Sequence, residues 1–183
     1  MNVPEIRKSH LEIGKLYFWT ATINNWHKLL DTDALKNIII SSLEYLVDNK
    51  KVEVYAFVIM PNHIHLVWQM MEMNNKEMPH TSFLKYTAHA FKRHLQLNNP
   101  GLLSKYAVEA KNKSYEFWQR DSLAFELLKK QTIKQKIEYI HYNPTMQRWQ
   151  LCVEPADYYY SSAAFYEKGD TRFKFLKHII EAL

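Results

Sequence analysis

The stretch from Tyr55 to Met70, YAFVIMPNHIHLVWQM, restricts the possible folds more than any other part of the chain. Two runs of aromatic and β-branched residues flank Met60-Pro61-Asn62, a pattern that predicts two strands joined by a tight hairpin. Side chains alternate along a strand, so Ile64, Leu66, Trp68 and Met70 face one way, toward a core. His63, His65, Val67 and Gln69 face the other way. Two imidazoles about 7 Å apart on one strand face are able to reach a single metal ion. Structural or surface histidines give the same pattern, so metal chemistry needs a third ligand and a reactive group from elsewhere.

The rest of the chain supplies a sheet and helices around that hairpin. Lys15 to Ile23, KLYFWTATI, predicts a first strand. Asp31-Thr32-Asp33 offers caps for a helix on which Leu35, Ile38, Ile39, Leu43 and Leu46 recur at helical spacing. Val52 to Ile59 and His63 to Met70 follow as strands. Glu72 to His80 predicts a loop. Thr81 or Ser82 then caps a second helix to about Leu97, where Asn98-Asn99-Pro100-Gly101 stops it. Leu102 to Lys113 has no clear pattern. A short fourth strand is predicted over about Glu116 to Phe125, and a third helix over Leu127 to Tyr142, ended by Asn143-Pro144. A last amphipathic helix is predicted over about Arg172 to Ala182. This order is that of an α+β, ferredoxin-like fold: an antiparallel sheet with helices packed on one face, plus a C-terminal helical extension. We expect one domain over residues 10–165 and a helical tail over 166–183.

Composition excludes several classes of function. Only three glycines occur, so no Gly-rich phosphate loop is available. Cys152 stands alone, which rules out an intramolecular disulfide or a Cys-rich zinc knuckle and fits a reducing, cytoplasmic setting. The first ten residues lack the apolar core of a signal peptide, and no apolar run is long enough for a bilayer, so no membrane partner is expected. The net charge of +5 favours an anionic partner, nucleic acid before membrane, although a solvated basic surface accounts for the charge equally well.

In the third helix Ile133, Ile137 and Ile140 form one stripe that should dock on the sheet. Tyr139 and Asn143 are four residues apart, one above the other, about 100° around from that stripe. They sit on a flank able to overhang a sheet edge. An asparagine carbonyl is a reasonable partner for a hard cation, so His63, His65 and Asn143 make a possible three-ligand site with Tyr139 one turn away. Taken singly, Tyr139 reads equally as packing and Asn143 as a turn residue before proline.

PNHIHLVW together with YIHYNP resembles the single-tyrosine HUH transposases, and most closely the REP-associated tyrosine transposases of bacteria. The U of HUH is the apolar residue, here Ile64. The resemblance extends over most of the chain, through the aromatic first strand, Lys85-Tyr86, Trp118-Gln119 and the segment Pro155 to Ser162. It implies that His63 and His65 are metal ligands, that Asn143 is the polar third ligand, and that Tyr139 is the nucleophile. The implied activity is metal-dependent cleavage and rejoining of single-stranded DNA through a 5′-phosphotyrosine intermediate, with Mg2+ or Mn2+ as cofactor. The implied partner is single-stranded or hairpin DNA at palindromic repeats, and relatives act either as homodimers or as monomers. Lys85, Lys92, Arg93 and Arg120 are candidate phosphate contacts, and Trp118 is a candidate stacking platform. Lys136, one turn before Tyr139, is either a group that lowers the phenol's pKa or an ordinary solvated lysine. Two departures stand out. Gln147-Arg148-Trp149 occupies a place where such proteins often carry a glycine, and Tyr142 and Tyr158 to Tyr160 offer other phenols. Competing readings are a relaxase-type HUH nickase, a domesticated DNA-binding protein without transposition, and an RNA-binding ferredoxin-like module. The last would need exposed aromatics where His63 and His65 lie.

Overall fold

The computed structural model describes residues 11–110 and 113–183. The signal-peptide reading and residue 10 of the expected domain lie outside the described residues. In chain order the elements that matter for function are strand β1 (Leu16–Thr22), helix α1 (Asp33–Asp48), and strands β2 (Val52–Met60) and β3 (His63–Met70). Helix α2 (Pro79–Asn98) and the single turn α3 (Pro100–Leu103) follow. A small hairpin of β4 (Ala107–Ala110) and β5 (Lys113–Tyr115) precedes β6 (Leu123–Glu126), helix α4 (Lys130–Tyr142) and helix α5 (Ala163–Lys168).

The sheet runs β2-β3-β1-β6 with every neighbouring pair antiparallel. This is the split βαβ arrangement expected from the order of elements. β3 lies inside the sheet, with His65 opposite Thr20 of β1 and Val58 of β2. His63 lies opposite Thr22 and Met60. The register therefore fixes which residues can reach each imidazole.

The sheet is apolar on both sides. On one face Trp19, Ile64, Leu66, Trp68 and Phe57 pack against Leu35, Ile39 and Leu43 of α1 and Phe83, Phe91 and Leu95 of α2. On the other face Phe18, Val58, Met60 and Val67 pack against Ile133, Ile137 and Ile140 of α4. Helices on one face, as expected from the sequence, holds for α1 and α2 but not for α4. The reason is legible in β2, whose positions are nearly all apolar on both faces and so demand cover on both sides. A bulge between Val54 and Ala56 adds to this, turning both Tyr55 and Ala56 to the α4 face.

Three local expectations differ from the structure. The fourth strand is shorter than predicted, Leu123–Glu126, and Trp118 touches the sheet only through an isolated bridge to Ile23. The patternless region holds the β4–β5 hairpin. The predicted helix at Arg172 to Ala182 is a strap with only a short 3-10 turn at Ile179–Ala182. Phe173, Phe175 and Leu176 are all buried in the α1–α2 core, although Phe173 and Phe175 would lie about 160° apart around a helix, too wide for a narrow stripe. The strap also follows the outer edge of β2. Leu176 bridges Val54, and the Lys177 N–H donates to the Val54 carbonyl at 3.0 Å. Farther along, the Ile59 N–H donates to the Tyr160 carbonyl at 2.9 Å and the Ser162 N–H to the Phe57 carbonyl at 3.0 Å. An edge that would otherwise template pairing with another chain is occupied.

Candidate active site

The hairpin turn that carries His63 is held from three sides. The Ile23 N–H donates to the Asn62 carbonyl and the Leu30 N–H to the Pro61 carbonyl, each at 2.8 Å. The Asn62 side-chain nitrogen donates to the Trp26 carbonyl at 3.2 Å. That last bond fixes the amide, so Asn62 Oδ1 faces His63 Nδ1 at 2.7 Å. A carbonyl oxygen only accepts, which places the proton on Nδ1 and leaves the lone pair on His63 Nε2. Trp26 has φ +56°, a left-handed backbone that a bulky residue adopts at a cost of about 1–3 kcal/mol. The strain lies in the segment that positions Asn62.

His65 is oriented by its register partner, with Thr20 Oγ1 at 2.7 Å from Nδ1. With the hydroxyl accepting, His65 Nε2 also carries a lone pair, and that atom is buried with no protein partner. Burial, with a smaller contribution from the Arg148 charge, lowers the His63 pKa to about 4. Burial first, and then His63, Arg148 and Lys136, hold His65 well below the ordinary imidazole value. Both rings are therefore neutral at pH 7, the form that binds a metal.

α4 brings the phenol to these rings within one chain. Its isoleucine stripe docks on the sheet, so Tyr139 falls on the flank as the spacing predicted. The Tyr139 ring lies 5.3 Å from His65, and His65 lies 4.7 Å from His63, centroid to centroid. Phe18 stacks on His65 at 5.2 Å, and Trp149 packs on His63 at 5.8 Å. Tyr142, by contrast, is exposed, at 56%. Asn143 keeps helical backbone angles, φ −54° and ψ −43°, so it stands one turn beyond Tyr139 on the same side of α4. It is fully buried, and neither its Oδ1 nor its Nδ2 has a partner. Buried amides are nearly always bonded, so this one needs an explanation.

The donors fit a divalent cation. Two neutral imidazoles and an unpaired amide oxygen are lone-pair donors of the kinds such ions accept. Among the described residues no three His, Cys, Asp or Glu side chains converge on a metal position. A third protein donor at the His pair would thus be an uncharged oxygen, and the unpaired Asn143 amide is a candidate. Two cations stand close by. Lys136 Nζ is 4.6 Å from the Phe18 ring centroid, 5.5 Å from Phe125 and 5.8 Å from Tyr139. The Arg148 guanidinium is 5.6 Å from the Trp149 ring.

The residues expected to contact DNA are not gathered at this site. Lys85, Lys92 and Arg93 belong to α2, across the sheet from His65. Lys85 shares a groove with Arg120, His80 and Ser122, and each cation has an acidic neighbour: Glu77 for Lys85, Glu116 for Arg120. Lys92 lies over the Tyr115 ring at 5.1 Å, and Arg93 lines a second groove between α1 and α2. Trp118 is not a stacking platform. It is 7% exposed, packs on Phe83 and Phe91, and donates its indole N–H to Thr87 Oγ1 at 2.9 Å. The exposed tryptophan is Trp26, at 61%. Sequence reasoning missed Trp26, Thr20, Asn62 and Arg148. Thr20 and Arg148 become visible only once register and loop path are known. Asn62 had a signal, as the residue directly before His63 in a tight turn.

No protein-family model and no curated protein matches the chain. Among solved structures, the fold is similar to that of a REP-associated tyrosine transposase bound to a REP hairpin. The identity is 18% and the TM-score 0.60, over 88% of this chain and 83% of that one. A candidate transposase from Deinococcus radiodurans is 20% identical over 74% of this chain and 95% of that chain, but its TM-score of 0.39 is too low to carry any argument. The chain thus has the fold of a REP-associated tyrosine transposase, as the PNHIHLVW and YIHYNP motifs led us to expect. Among the described residues no helix is long and apolar enough to cross a membrane.

Proposed function

We propose that this chain cleaves and rejoins single-stranded DNA, with Tyr139 as nucleophile. The observation that carries the reading is the Tyr139 ring held 5.3 Å from His65, whose inward Nε2 is buried without a partner. The phenol oxygen attacks the scissile phosphorus, the bond from phosphorus to the 3′ oxygen breaks, and the leaving oxygen takes up a proton. The products are a 5′-phosphotyrosine link and a free 3′-hydroxyl. Attack by a 3′-hydroxyl of another strand reverses the step and returns the phenol, which is strand transfer. A free phenol ionises only near pH 10, so positive charge around Tyr139 is required for attack at neutral pH. His63, His65 and Asn143 would hold the divalent ion, Mg2+ or Mn2+, which when bound polarises a phosphate oxygen. The imidazole pair favours Mn2+ as the tighter binder. Asn62 keeps His63 in the ligand tautomer, and Thr20 does the same for His65 when its hydroxyl accepts.

We infer that the DNA is single-stranded or a hairpin. The similar solved protein is bound to a REP hairpin. The 20-residue helix α2 contains no Asp or Glu and carries Lys85, Lys92 and Arg93, which suits phosphate contacts. These contacts would anchor DNA away from the cleavage site, with Arg120 beside Lys85. Trp26, exposed and adjacent to Asn62, replaces Trp118 as the candidate platform for a base. Because α4 supplies Tyr139 within one chain, cleavage needs no second copy.

The test is the covalent product. Incubating the protein with single-stranded hairpin DNA and Mn2+ should give a species that survives denaturing electrophoresis and maps by mass spectrometry to Tyr139. Tyr139→Phe should abolish it, a loss on the order of 10³-fold or more. An adduct that persists in that variant refutes the assignment.

A further inference from the structure

Accepting His63 and His65 as ligands, we propose that Lys136 and Arg148 form a phosphate-oxyanion subsite, and that this subsite makes cation binding depend on the arrival of a phosphate. The two side chains bracket the imidazole pair. Lys136 reaches it through Phe18, whose ring is 4.6 Å from Nζ and 5.2 Å from His65. Arg148 reaches it through Trp149, 5.6 Å from the guanidinium and 5.8 Å from His63. Among the described residues neither cation has an ion pair, whereas Lys85, Lys134 and Arg120 each have one.

The electrostatic consequence is specific. The candidate ligands are two neutral rings and a neutral amide, and among the described residues no carboxylate joins the set. Among the described residues the ionised groups that act on the two rings are Lys136 and Arg148, both positive. A divalent ion entering alone loses most of its hydration and meets two like charges, with no anion to offset either cost. A phosphodiester changes both terms. It brings one negative charge between Lys136 and Arg148, and an oxygen that completes the ligand set. Phosphate and metal therefore bind with positive coupling, and the coupling is reciprocal. The protein would stay metal-poor until a strand is seated.

The experiment measures Mn2+ affinity by calorimetry in the Tyr139→Phe background, so that the DNA stays intact. Titrations are made with protein alone, with a short single-stranded oligodeoxynucleotide, and with inorganic phosphate; His65→Ala controls identify binding at this site. We expect Mn2+ to bind at least about tenfold more tightly with the oligonucleotide than without it. Lys136→Met/Arg148→Met should tighten Mn2+ binding to the free protein and shrink the gain from DNA. A gain with phosphate as well assigns the subsite to the oxyanion in general, and a gain with the oligonucleotide only assigns it to the polynucleotide backbone. Equal Mn2+ affinity in all three titrations, with binding still lost in His65→Ala, overturns the coupling and leaves the metal site standing. Mn2+ binding that His65→Ala does not alter overturns both.

Discussion

Trp68 and His65 lie three residues apart on β3 and point to opposite faces of the sheet. Each has a ring nitrogen buried without a partner. The two vacancies differ in kind. The Trp68 indole can only donate, and it sits among Trp19, Phe83 and other apolar rings. The His65 Nε2 offers a lone pair, and α4 adds a second unpaired acceptor, Asn143 Oδ1. A donor stranded in a core costs stability and does nothing else. On the proposed reading, such lone pairs are what would receive a cation. One strand thus supplies core packing through its even-numbered apolar residues and, in the function proposed above, chemistry through its two histidines.

The sharpest way to break that division is to cross two substitutions. His65→Ala should lower metal-dependent cleavage by on the order of 10³-fold while the far-ultraviolet circular dichroism stays native. Trp68→Ala should cost about 3–5 kcal/mol in denaturant unfolding, while the molecules that remain folded still bind Mn2+. If the two variants lose stability and cleavage in the same proportion, the two faces do not have separate roles.

Acid gives a second contrast, because the α4 face holds the most strongly depressed histidines. Burial lowers both His63 and His141 to about 4, and His141 Nε2 pairs with Ser162 Oγ at 2.9 Å. A folded-state value below the unfolded one means that the unfolded chain binds more protons between the two. Stability is therefore complete above about pH 6.5 and falls as the pH drops from there toward 4. The loss should approach roughly 3 kcal/mol for each of the two residues, measured by urea unfolding of metal-free protein. His141→Gln should flatten part of that slope. An unchanged slope would mean that His141 does not titrate with folding.

Much of this was legible in the sequence. β3 was, because His-x-His stands opposite four apolar residues in strict alternation. The Tyr139–Asn143 pair was, because helical spacing sets it against the isoleucine stripe. What escaped depended on distances along the chain that local pattern cannot carry. The second apolar face of β2 stands in its sequence, but the bulge that turns both Tyr55 and Ala56 toward α4 does not. Trp118 looked exposed because it sits beside Gln119 and Arg120, yet its partner, Thr87, lies 31 residues away. The C-terminal strap had helix-like composition, but hydrogen bonding to the β2 edge and burial of Phe173 and Phe175 overrode local propensity.

Thr20 separates orientation from ligation. Thr20→Val keeps the shape of the side chain and removes the oxygen beside His65 Nδ1. Losing such a partner typically weakens a metal by about 10- to 100-fold. Mn2+ affinity in the presence of DNA should fall by that amount, while unfolding stability falls by about 1–3 kcal/mol as the buried His65 N–H loses its partner. Full affinity in this variant would show that β1 contributes packing to the site and no tautomer control.

The smallest effect is expected at Trp26, and it tests whether the loop beside the hairpin serves the strand of DNA or only the fold. The indole is exposed, so its removal forfeits little packing, and the strained backbone already costs the native state energy. Trp26→Ala should leave the melting temperature within about two degrees. If a base stacks there, binding of a single-stranded oligonucleotide should weaken by about 1–3 kcal/mol, read by fluorescence anisotropy. Trp26→Phe should restore part of the affinity, since a smaller ring still presents a face. Unchanged DNA affinity and unchanged stability would instead leave Trp26 a buttress for Asn62, acting through its carbonyl alone.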